Sequence, residues 1–245
     1  MLRKFRADLH IHSCLSPCSD WAMSPKKIIQ KSLEVGLDLI AICDHNSAEN
    51  AGAAMRLGNR QGIQVLPGLE ICSREEVHIL ALFDALEPAL EMQAYVYANL
   101  PGENNSKVFG YQVIANENDE VIGENPRLLI GATRLSLHDI VGKTHLLGGI
   151  NISCHVDRPG YGIINQLGFI PTDLKLDGLE VSYRIKLGQA TQTIPAIGDF
   201  ACVTSSDAHY LDDIGRACTV LKLAEPSLAE IRLALAKKNG RRILV

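Results

Sequence analysis

The 245-residue sequence is poor in aromatic side chains, has little net charge and lacks long apolar runs. Aromatic residues make up 5% of the chain, which argues against a surface that stacks the bases of single-stranded nucleic acid. The formal net charge of −4 leaves no basic footprint for sequence-independent nucleic-acid binding. No apolar run reaches about 18 residues, so we expect no transmembrane helix and no membrane partner.

The cysteines do not form the pattern of a disulfide framework. There are seven, at irregular spacings, and several lie inside apolar runs, where a thiol behaves as a small buried hydrophobe. Cys14 and Cys18 are a weak signal for a thiolate ligand, and we favour a structural role for both. The basic N-terminus is not followed by the apolar segment of a secretory signal, so we expect a reducing, cytoplasmic location.

Apolar strand-like segments alternate with helical patterns along most of the chain. Strands are predicted at residues 5–12, 37–43, 63–69, 77–83, 149–154, 178–181, 201–205 and 218–223. Helices are predicted after Ser24 and Pro25, and over residues 48–61, 183–197 and 227–238. This alternation implies an α/β fold with parallel strands and right-handed crossovers, and about seven or eight strands favour a closed barrel.

Residues 84–148 interrupt the alternation. Helical spacing over residues 86–100, a hairpin turn at 116–119 and a second helical pattern over 136–147 indicate an inserted helix–hairpin–helix elaboration. We expect one domain over residues 1–245, with this elaboration near the mouth of the functional site.

Histidine, aspartate and glutamate recur where the apolar segments end. The set is His10, His12, Asp20, Asp44, His45, Glu70, His78, His155, Asp207 and His209. Alternate residues of a strand point to one face, and the ends of parallel barrel strands meet at one rim. A single His-x-His pair is most often structural, and His78 alone fits a satisfied core histidine. A ligand-type residue near the end of almost every predicted strand instead indicates a polynuclear metal site. For His138 and His145, on a predicted helix of the elaboration, we favour solvent or packing roles.

These motifs resemble those of the PHP (polymerase and histidinol phosphatase) family of metal-dependent phosphoesterases. DLHIHS at residues 8–13, CDHN at 43–46, GLE at 68–70 and SDAH at 206–209 occur in the family's order, with the histidines at 78 and 155 between them. The resemblance implies a distorted (β/α)7 barrel and three divalent metal ions. We expect Zn, Mn or Fe, because histidine-rich ligation suits these metals better than Mg.

The resemblance also implies how the ligands are shared. His10, His12, Glu70 and Asp207 would hold one metal, and Glu70 would bridge to a second held by His78 and His155. Asp20, His45 and His209 would hold the third. Asp8 and Asp44 would orient the ligating imidazoles.

The activity implied by the resemblance is hydrolysis of a small phosphate monoester through a metal-activated hydroxide. Asp207 and His209 are expected to assist catalysis. Arg158 and Arg184 are expected to bind the phosphate, because a guanidinium group fits two phosphate oxygens, although a surface salt bridge is an equal alternative for each.

Three other functions stay open. A nuclease or phosphodiesterase would accept nucleic acid only as a short oligonucleotide, and it needs a groove of aromatic side chains. Hydrolysis of a C–N or lactone bond would be favoured by a pocket that has no arginine placed to bind a phosphate. A non-catalytic metal-binding regulatory module would be favoured by loss of a ligand, and here the set is complete.

Overall fold

The computed structural model describes residues 1–244 as a mixed α/β fold. The strands are β1 (Arg3–Ile11), β2 (Leu39–His45), β3 (Gln64–Cys72), β4 (His78–Leu82), β5 (Val113–Ala115), β6 (Val121–Glu124), β7 (Ile150–Ser153), β8 (Gly178–Val181), β9 (Cys202–Thr204), β10 (Thr219–Leu223) and β11 (Arg242–Leu244). The helices are α1 (Pro25–Glu34), α2 (Ala51–Gln61), α3 (Leu86–Tyr97), α4 (Ser106–Phe109), α5 (Leu137–Leu146), α6 (Ile163–Leu167), α7 (Leu187–Thr193) and α8 (Leu228–Leu235).

The main sheet is a nearly closed barrel, which confirms the predicted α/β barrel. Its wall runs in the order β1, β2, β3, β4, β7, β8 and β9, and β10 and β11 extend it beyond β1. Ile11 and Ala208 form a parallel bridge, with His12 N donating to Ala208 O at 3.0 Å, so the residues after β9 return to β1.

The expectation that the predicted strands are all parallel is wrong for β10, which runs antiparallel to β1. It is also wrong for β4, which runs antiparallel to β3 and to β7. Residues 73–77 alone separate β3 from β4, whereas a parallel connection needs about a dozen residues or more. The chain therefore returns as a hairpin, with His78 paired to Cys72. As a result the first residue of β4, not its last, lies at the rim where β3 ends.

Aliphatic side chains fill the barrel. Leu9, Ala41, Leu66, Leu80 and Ile152, from five different strands, belong to one buried cluster, and α8 packs against it through Ile231 and Leu235, among others. A second cluster joins the outer face of the sheet to the surrounding helices. The barrel interior is so closely packed at Gly68 that no larger side chain fits, because a Cβ there would lie 2.7 Å from Leu82 Cδ2 and 2.9 Å from Cys43 Sγ.

The helices begin and end largely where the sequence predicts them. The Ser24 hydroxyl accepts a hydrogen bond from Lys27 N at the start of α1, and α2 ends at Gly62, which has a left-handed backbone. The helix predicted over residues 183–197 is shorter, because α7 spans Leu187–Thr193 and a 3-10 turn follows it. The short elements α4, α6 and β11 are not predicted. No helix within residues 1–244 combines the length and apolarity that a membrane crossing requires.

Residues 84–148 contain the helix–hairpin–helix arrangement expected for them. β5 and β6 pair antiparallel across a turn in which Asp119 has a φ of 66°. The segment is attached beside the ends of β1 and β2, since Val113 N donates to Cys14 O at 3.0 Å and Asn46 Nδ2 donates to Leu129 O at 2.7 Å. It therefore lies at the barrel rim that carries the polar motifs.

Candidate metal centre

Buried imidazoles converge on Glu70 at this rim. Its Oε1 atom lies 2.8 Å from His78 Nδ1 and 3.3 Å from His155 Nε2. Its Oε2 atom lies 3.0 Å from His45 Nδ1 and 3.3 Å from His12 Nε2. Side chains from β2, β3 and β4 and from the loops after β1 and β7 thus meet at one carboxylate.

Asp207 is the second carboxylate of the cluster. Its Oδ1 atom lies 3.3 Å from His12 Nε2, 3.5 Å from His10 Nε2 and 3.6 Å from His209 Nδ1. The structure therefore brings together most of the predicted ligands, namely His10, His12, His45, Glu70, His78, His155, Asp207 and His209.

A change of register near the end of β1 turns inward both His10 and His12, the residue that follows the strand. Phe5, Ala7 and Leu9 face the barrel interior, so strict alternation would point His10 and His12 outward. The pairing of β1 with β2 shifts between residues 8 and 11, and Ile11 packs in the outer cluster. Such an irregularity re-aims the side chains beyond it, and both imidazoles join the cluster.

Hydrogen bonds at Nδ1, the ring nitrogen that faces away from the cluster, hold the imidazoles of His10 and His12 in place. His10 Nδ1 lies 3.1 Å from both carboxylate oxygens of Glu180, and His12 Nδ1 lies 2.9 Å from Ser16 Oγ. Ser16 Oγ in turn donates to Asp44 Oδ1 at 2.7 Å. Asp44 therefore supports the imidazole of His12 through Ser16. Because the Nδ1 atoms of His10 and His12 donate these hydrogen bonds, their Nε2 atoms are left as acceptors that face the cluster.

The donor set fits divalent metal ions. His10 Nε2 and His12 Nε2 are 3.1 Å apart, so two lone pairs would face each other unless a cation or a proton lies between them. His155 Nδ1 is buried without a hydrogen-bond partner in the described chain. Imidazole and carboxylate atoms within 4.8 Å of one another form several groups among residues 1–244: His12 with His45 and His209, His10 with His12 and Glu70, and His45 with Glu70 and His78.

Charge in the cluster is tightly coupled. Burial alone would raise the pKa of Glu70, but the imidazoles of His78, His10 and His45 outweigh it and hold that pKa well below its usual value. Burial would likewise lower the pKa of His10, but the carboxylates of Glu180, Asp207 and Glu70 raise it well above its usual value. Protons on imidazoles thus balance the buried carboxylates, and a bound metal ion would displace such protons.

Two predicted site residues have other contacts. Asp20 is exposed, its Oδ1 accepts a hydrogen bond from Ala22 N at 2.8 Å, and it belongs to none of the donor groups in residues 1–244. Asp8 is buried but does not hold an imidazole as expected. Its carboxylate accepts from Ser206 N at 2.9 Å and from Gly215 N at 3.1 Å, so it holds the loop that carries Asp207.

Cys18 lies against His45 and His209, near the position expected for Asp20. Desolvation would raise the pKa of the thiol, but the two imidazoles that contact it lower this pKa to about 5. The sequence offers only a weak signal that Cys18 is a ligand, and it does not indicate these partners, because both histidines are distant along the chain.

The arginines divide between the cavity and the surface. Arg158 Nη1 lies 2.6 Å from Asp207 Oδ2, and its buried Nε has no partner in the described chain. Arg184 is exposed beside Tyr183. Arg216, which sequence reasoning missed, donates from Nε to Ser206 O at 2.8 Å and from Nη2 to Asp207 O at 3.3 Å, so it supports the same loop as Asp8.

The cluster opens on a cavity of about 190 Å³, which Ile130, Arg158 and Tyr161 line together with Glu70, Asp207 and four of the histidines, His45, His78, His155 and His209. His138 and His145 lie outside it and pair with Asp173 and Asp177 at 3.0 Å and 2.8 Å. The cavity is thus lined by imidazole and carboxylate groups that can bind metal ions, by one guanidinium group, and by one aliphatic and one aromatic side chain.

Comparison with known proteins identifies related sequences and folds. The PHP domain model matches residues 8–145, and the PHP-associated model matches residues 198–239. A 3′,5′-nucleoside bisphosphate phosphatase from Chromobacterium violaceum is 36% identical over 87 residues, which are 34% of this chain and 30% of that protein. A 5′-3′ exoribonuclease from Haemophilus influenzae is 31% identical over 94 residues, 37% of this chain and 32% of that protein.

The curated relatives are matched over less than a third of their own length. Among solved structures, the lesion-specific endonuclease of Pyrococcus furiosus superposes with a TM-score of 0.77 and 20% identity, covering 99% of this chain and 58% of that one. This similarity concerns the fold. The phosphatase and the exoribonuclease to which the sequence is similar both hydrolyse phosphate esters.

Proposed function

Because the chain belongs to the PHP domain family, we propose that it is a metal-dependent phosphoesterase that hydrolyses a small phosphate monoester. The observation that carries the proposal is the meeting of imidazoles and two carboxylates in one cavity with the Arg158 guanidinium group. The match to a nucleoside bisphosphate phosphatase supports a monoester substrate.

The proposed ligands fall into three sets, two of which share Glu70. His10, His12, Glu70 and Asp207 would hold the first metal, and Glu70 would be shared with a second set formed by His78 and His155. His45 and His209, with the loop that carries Cys18 and Asp20, form the third. When bound, divalent ions lower the pKa of water and polarise phosphoryl oxygens.

The protein's own groups position the phosphate and the donors. Arg158 reaches into the cavity, and its guanidinium fork can donate to two phosphoryl oxygens at once. Asp207 and His209 lie beside the same space and are our candidates for assisting catalysis. Glu180 and Ser16 keep the Nε2 atoms of His10 and His12 turned toward the cluster.

Metal removal tests this proposal. We expect dialysis against a chelator to abolish hydrolysis of p-nitrophenyl phosphate, and Mn²⁺ or Zn²⁺ to restore it. His12→Ala should lower kcat/KM by orders of magnitude, whereas His138→Ala, which removes an imidazole outside the cavity, should leave it unchanged. Full activity of the metal-free protein would overturn the proposal.

One observation favours a second candidate, a phosphodiesterase that acts on short oligonucleotides. The few aromatic residues lie largely at the surface, and Trp21, Tyr111, Tyr161, Tyr183 and Tyr210 are all exposed. Trp21 and Tyr111 form an edge-to-face pair with ring centroids 5.0 Å apart, and Tyr210 directly follows His209. Exposed rings are what base stacking needs, and Tyr161 among them lines the cavity, so the low aromatic content does not exclude this substrate.

Cleavage of a labelled single strand of about ten nucleotides, measured beside p-nitrophenyl phosphate, decides between the two candidates. If the strand is the substrate, Trp21→Ala should weaken its cleavage and leave the monoester rate unchanged. If only the monoester is cleaved, the first candidate stands.

A further inference from the structure

Tyr161 is an aromatic residue of the cavity that the proposed chemistry does not use. It lies in the loop after β7, which also carries His155 and Arg158, and it lines the same cavity as both. Its carbonyl oxygen accepts a hydrogen bond from His78 N at 3.0 Å. Its ring stacks on the imidazole of His78, with centroids 4.3 Å apart and an interplanar angle of 17°.

The ring of Tyr161 stacks on His78 through one face only, and 44% of the residue stays exposed. A tyrosine kept only for packing would bury its ring more fully, since aromatic burial contributes strongly to stability. Tyr161 instead lines a cavity that is also lined by Arg158 and by the aliphatic side chain of Ile130.

The loop holds Tyr161 in an unfavourable backbone conformation. Its φ is 59° and that of His155 is 28°, in the left-handed region that side chains with a Cβ rarely adopt. The turn is tightly wound, because a Cβ at Gly162 would lie 2.9 Å from Arg158 O and 3.1 Å from His155 O. Backbone strain of this kind collects at functional sites, where the surrounding structure maintains it.

We propose that Tyr161 is a specificity residue whose ring, through the face turned away from His78, stacks on a planar aromatic ring of the substrate. The site would then prefer phosphate esters whose alcohol part carries such a ring, as a nucleoside does. This inference rests on the proposed function, since it assumes that the phosphate is held beside Arg158 and the donor cluster.

The chemistry of the cavity supports this choice of ligand. The donors and Arg158 recognise the phosphate, which every phosphate ester has in common, so they do not distinguish one alcohol from another. A substrate ring that stacks on Tyr161, with Ile130 in the same cavity, makes an apolar contact that a sugar phosphate without a base cannot make. Loss of base stacking on an aromatic side chain weakens binding roughly ten- to a hundredfold.

The test compares two ligands that share sugar and phosphate, adenosine 5′-phosphate and ribose 5-phosphate. For metal-loaded protein we expect adenosine 5′-phosphate to bind at least tenfold more tightly by calorimetry, and to have the higher kcat/KM. Tyr161→Ala should remove this preference and Tyr161→Phe should keep it, because the ring and not the hydroxyl group makes the contact.

The ratio between the ligands separates stacking from indirect effects. Since Tyr161 also contacts His78, Tyr161→Ala could disturb the donors, but that would weaken both ligands equally and would appear as a lower metal content. Equal affinity for the two ligands in the unmodified protein, or a preference that survives in Tyr161→Ala, overturns the inference. If neither ligand nor p-nitrophenyl phosphate is hydrolysed by the metal-loaded protein, the proposed function fails, while the binding ratio still decides the role of Tyr161.

Discussion

Ser16 provides a sharp test of how the chain holds its metal donors. Its buried hydroxyl lies 2.9 Å from His12 Nδ1, accepts from His45 N at 3.1 Å and donates to Asp44 Oδ1 at 2.7 Å. Ser16→Ala removes this link between two ligating histidines and a buried carboxylate without adding bulk. The imidazole of His12 then loses the bond that keeps its Nε2 turned toward Glu70 and Asp207.

The expected magnitude follows from the bonds that are lost. Each buried donor left without a partner costs about 1–3 kcal/mol, and two donors lose their acceptor in Ser16→Ala. Partial relaxation lowers the sum, so we expect the free energy of unfolding of the metal-free protein to fall by about 3 kcal/mol. Loss of a group that orients a ligating histidine lowers metal affinity by about 10- to 100-fold.

Ser13 offers a matched control in the same loop. Its hydroxyl donates to the other oxygen of Asp44 at 2.6 Å and accepts from Asn50 Nδ2 at 2.9 Å and Leu15 N at 3.2 Å, but it contacts no histidine side chain in the described residues. Ser13→Ala should therefore lower stability to a similar degree and leave metal affinity close to that of the unmodified protein.

Two measurements separate the effects. Urea unfolding of the metal-free proteins reports stability, and titration with Zn²⁺ against a competing chelator reports metal affinity in the folded state. If both variants lose metal affinity equally, the loss comes from general loosening of the loop. If Ser16→Ala binds metal as tightly as the unmodified protein, our account of His12 orientation is wrong.

Further predictions concern the phosphate and the thiol. Arg158→Ala should raise KM for phosphate esters by about tenfold with a smaller effect on kcat, because one guanidinium fork is lost from the cavity. Arg184→Ala, measured in parallel, should have the weaker effect since that side chain is exposed; equal KM values for Arg158→Ala and the unmodified enzyme would limit Arg158 to pairing with Asp207. For Cys18, a pKa of about 5 means that the thiol is already ionised above pH 6. Its alkylation by iodoacetamide in metal-free protein should therefore be nearly constant from about pH 6 to pH 9, whereas an ordinary thiol gains roughly tenfold per pH unit below its pKa of about 8.5. Peptide mapping with Cys18→Ser as the blank measures this, and a steep rise over that range would contradict the assigned pKa.

Most of the barrel was predictable because its signals are local. Apolar segments predict β1, β2, β3 and β7 to within a few residues, and Ser24, Gly62 and the turn at residues 116–119 mark element boundaries. The direction of β4 was missed although its signal was present, since residues 73–77 leave room for a hairpin and not for a crossover.

The contacts of the site were predictable only in part. The histidines and carboxylates near the strand ends predicted that His12, His45 and Glu70 lie close together. The partner of His10 did not follow from any pattern, because Glu180 lies 170 residues away and its carboxylate resembles any other acidic side chain in the sequence. The same holds for the contact of Cys18 with His45 and His209.

The sequence by itself determined the kinds of donor and the strands that carry them, because hydrophobic periodicity and ligand chemistry are properties of short segments. Only the tertiary structure decided which donors face one another. The register shift in β1 turns His10 and His12 inward, and a turn at Ala22 occupies the carboxylate of Asp20. Such outcomes depend on pairing and packing between distant segments, which no local pattern encodes.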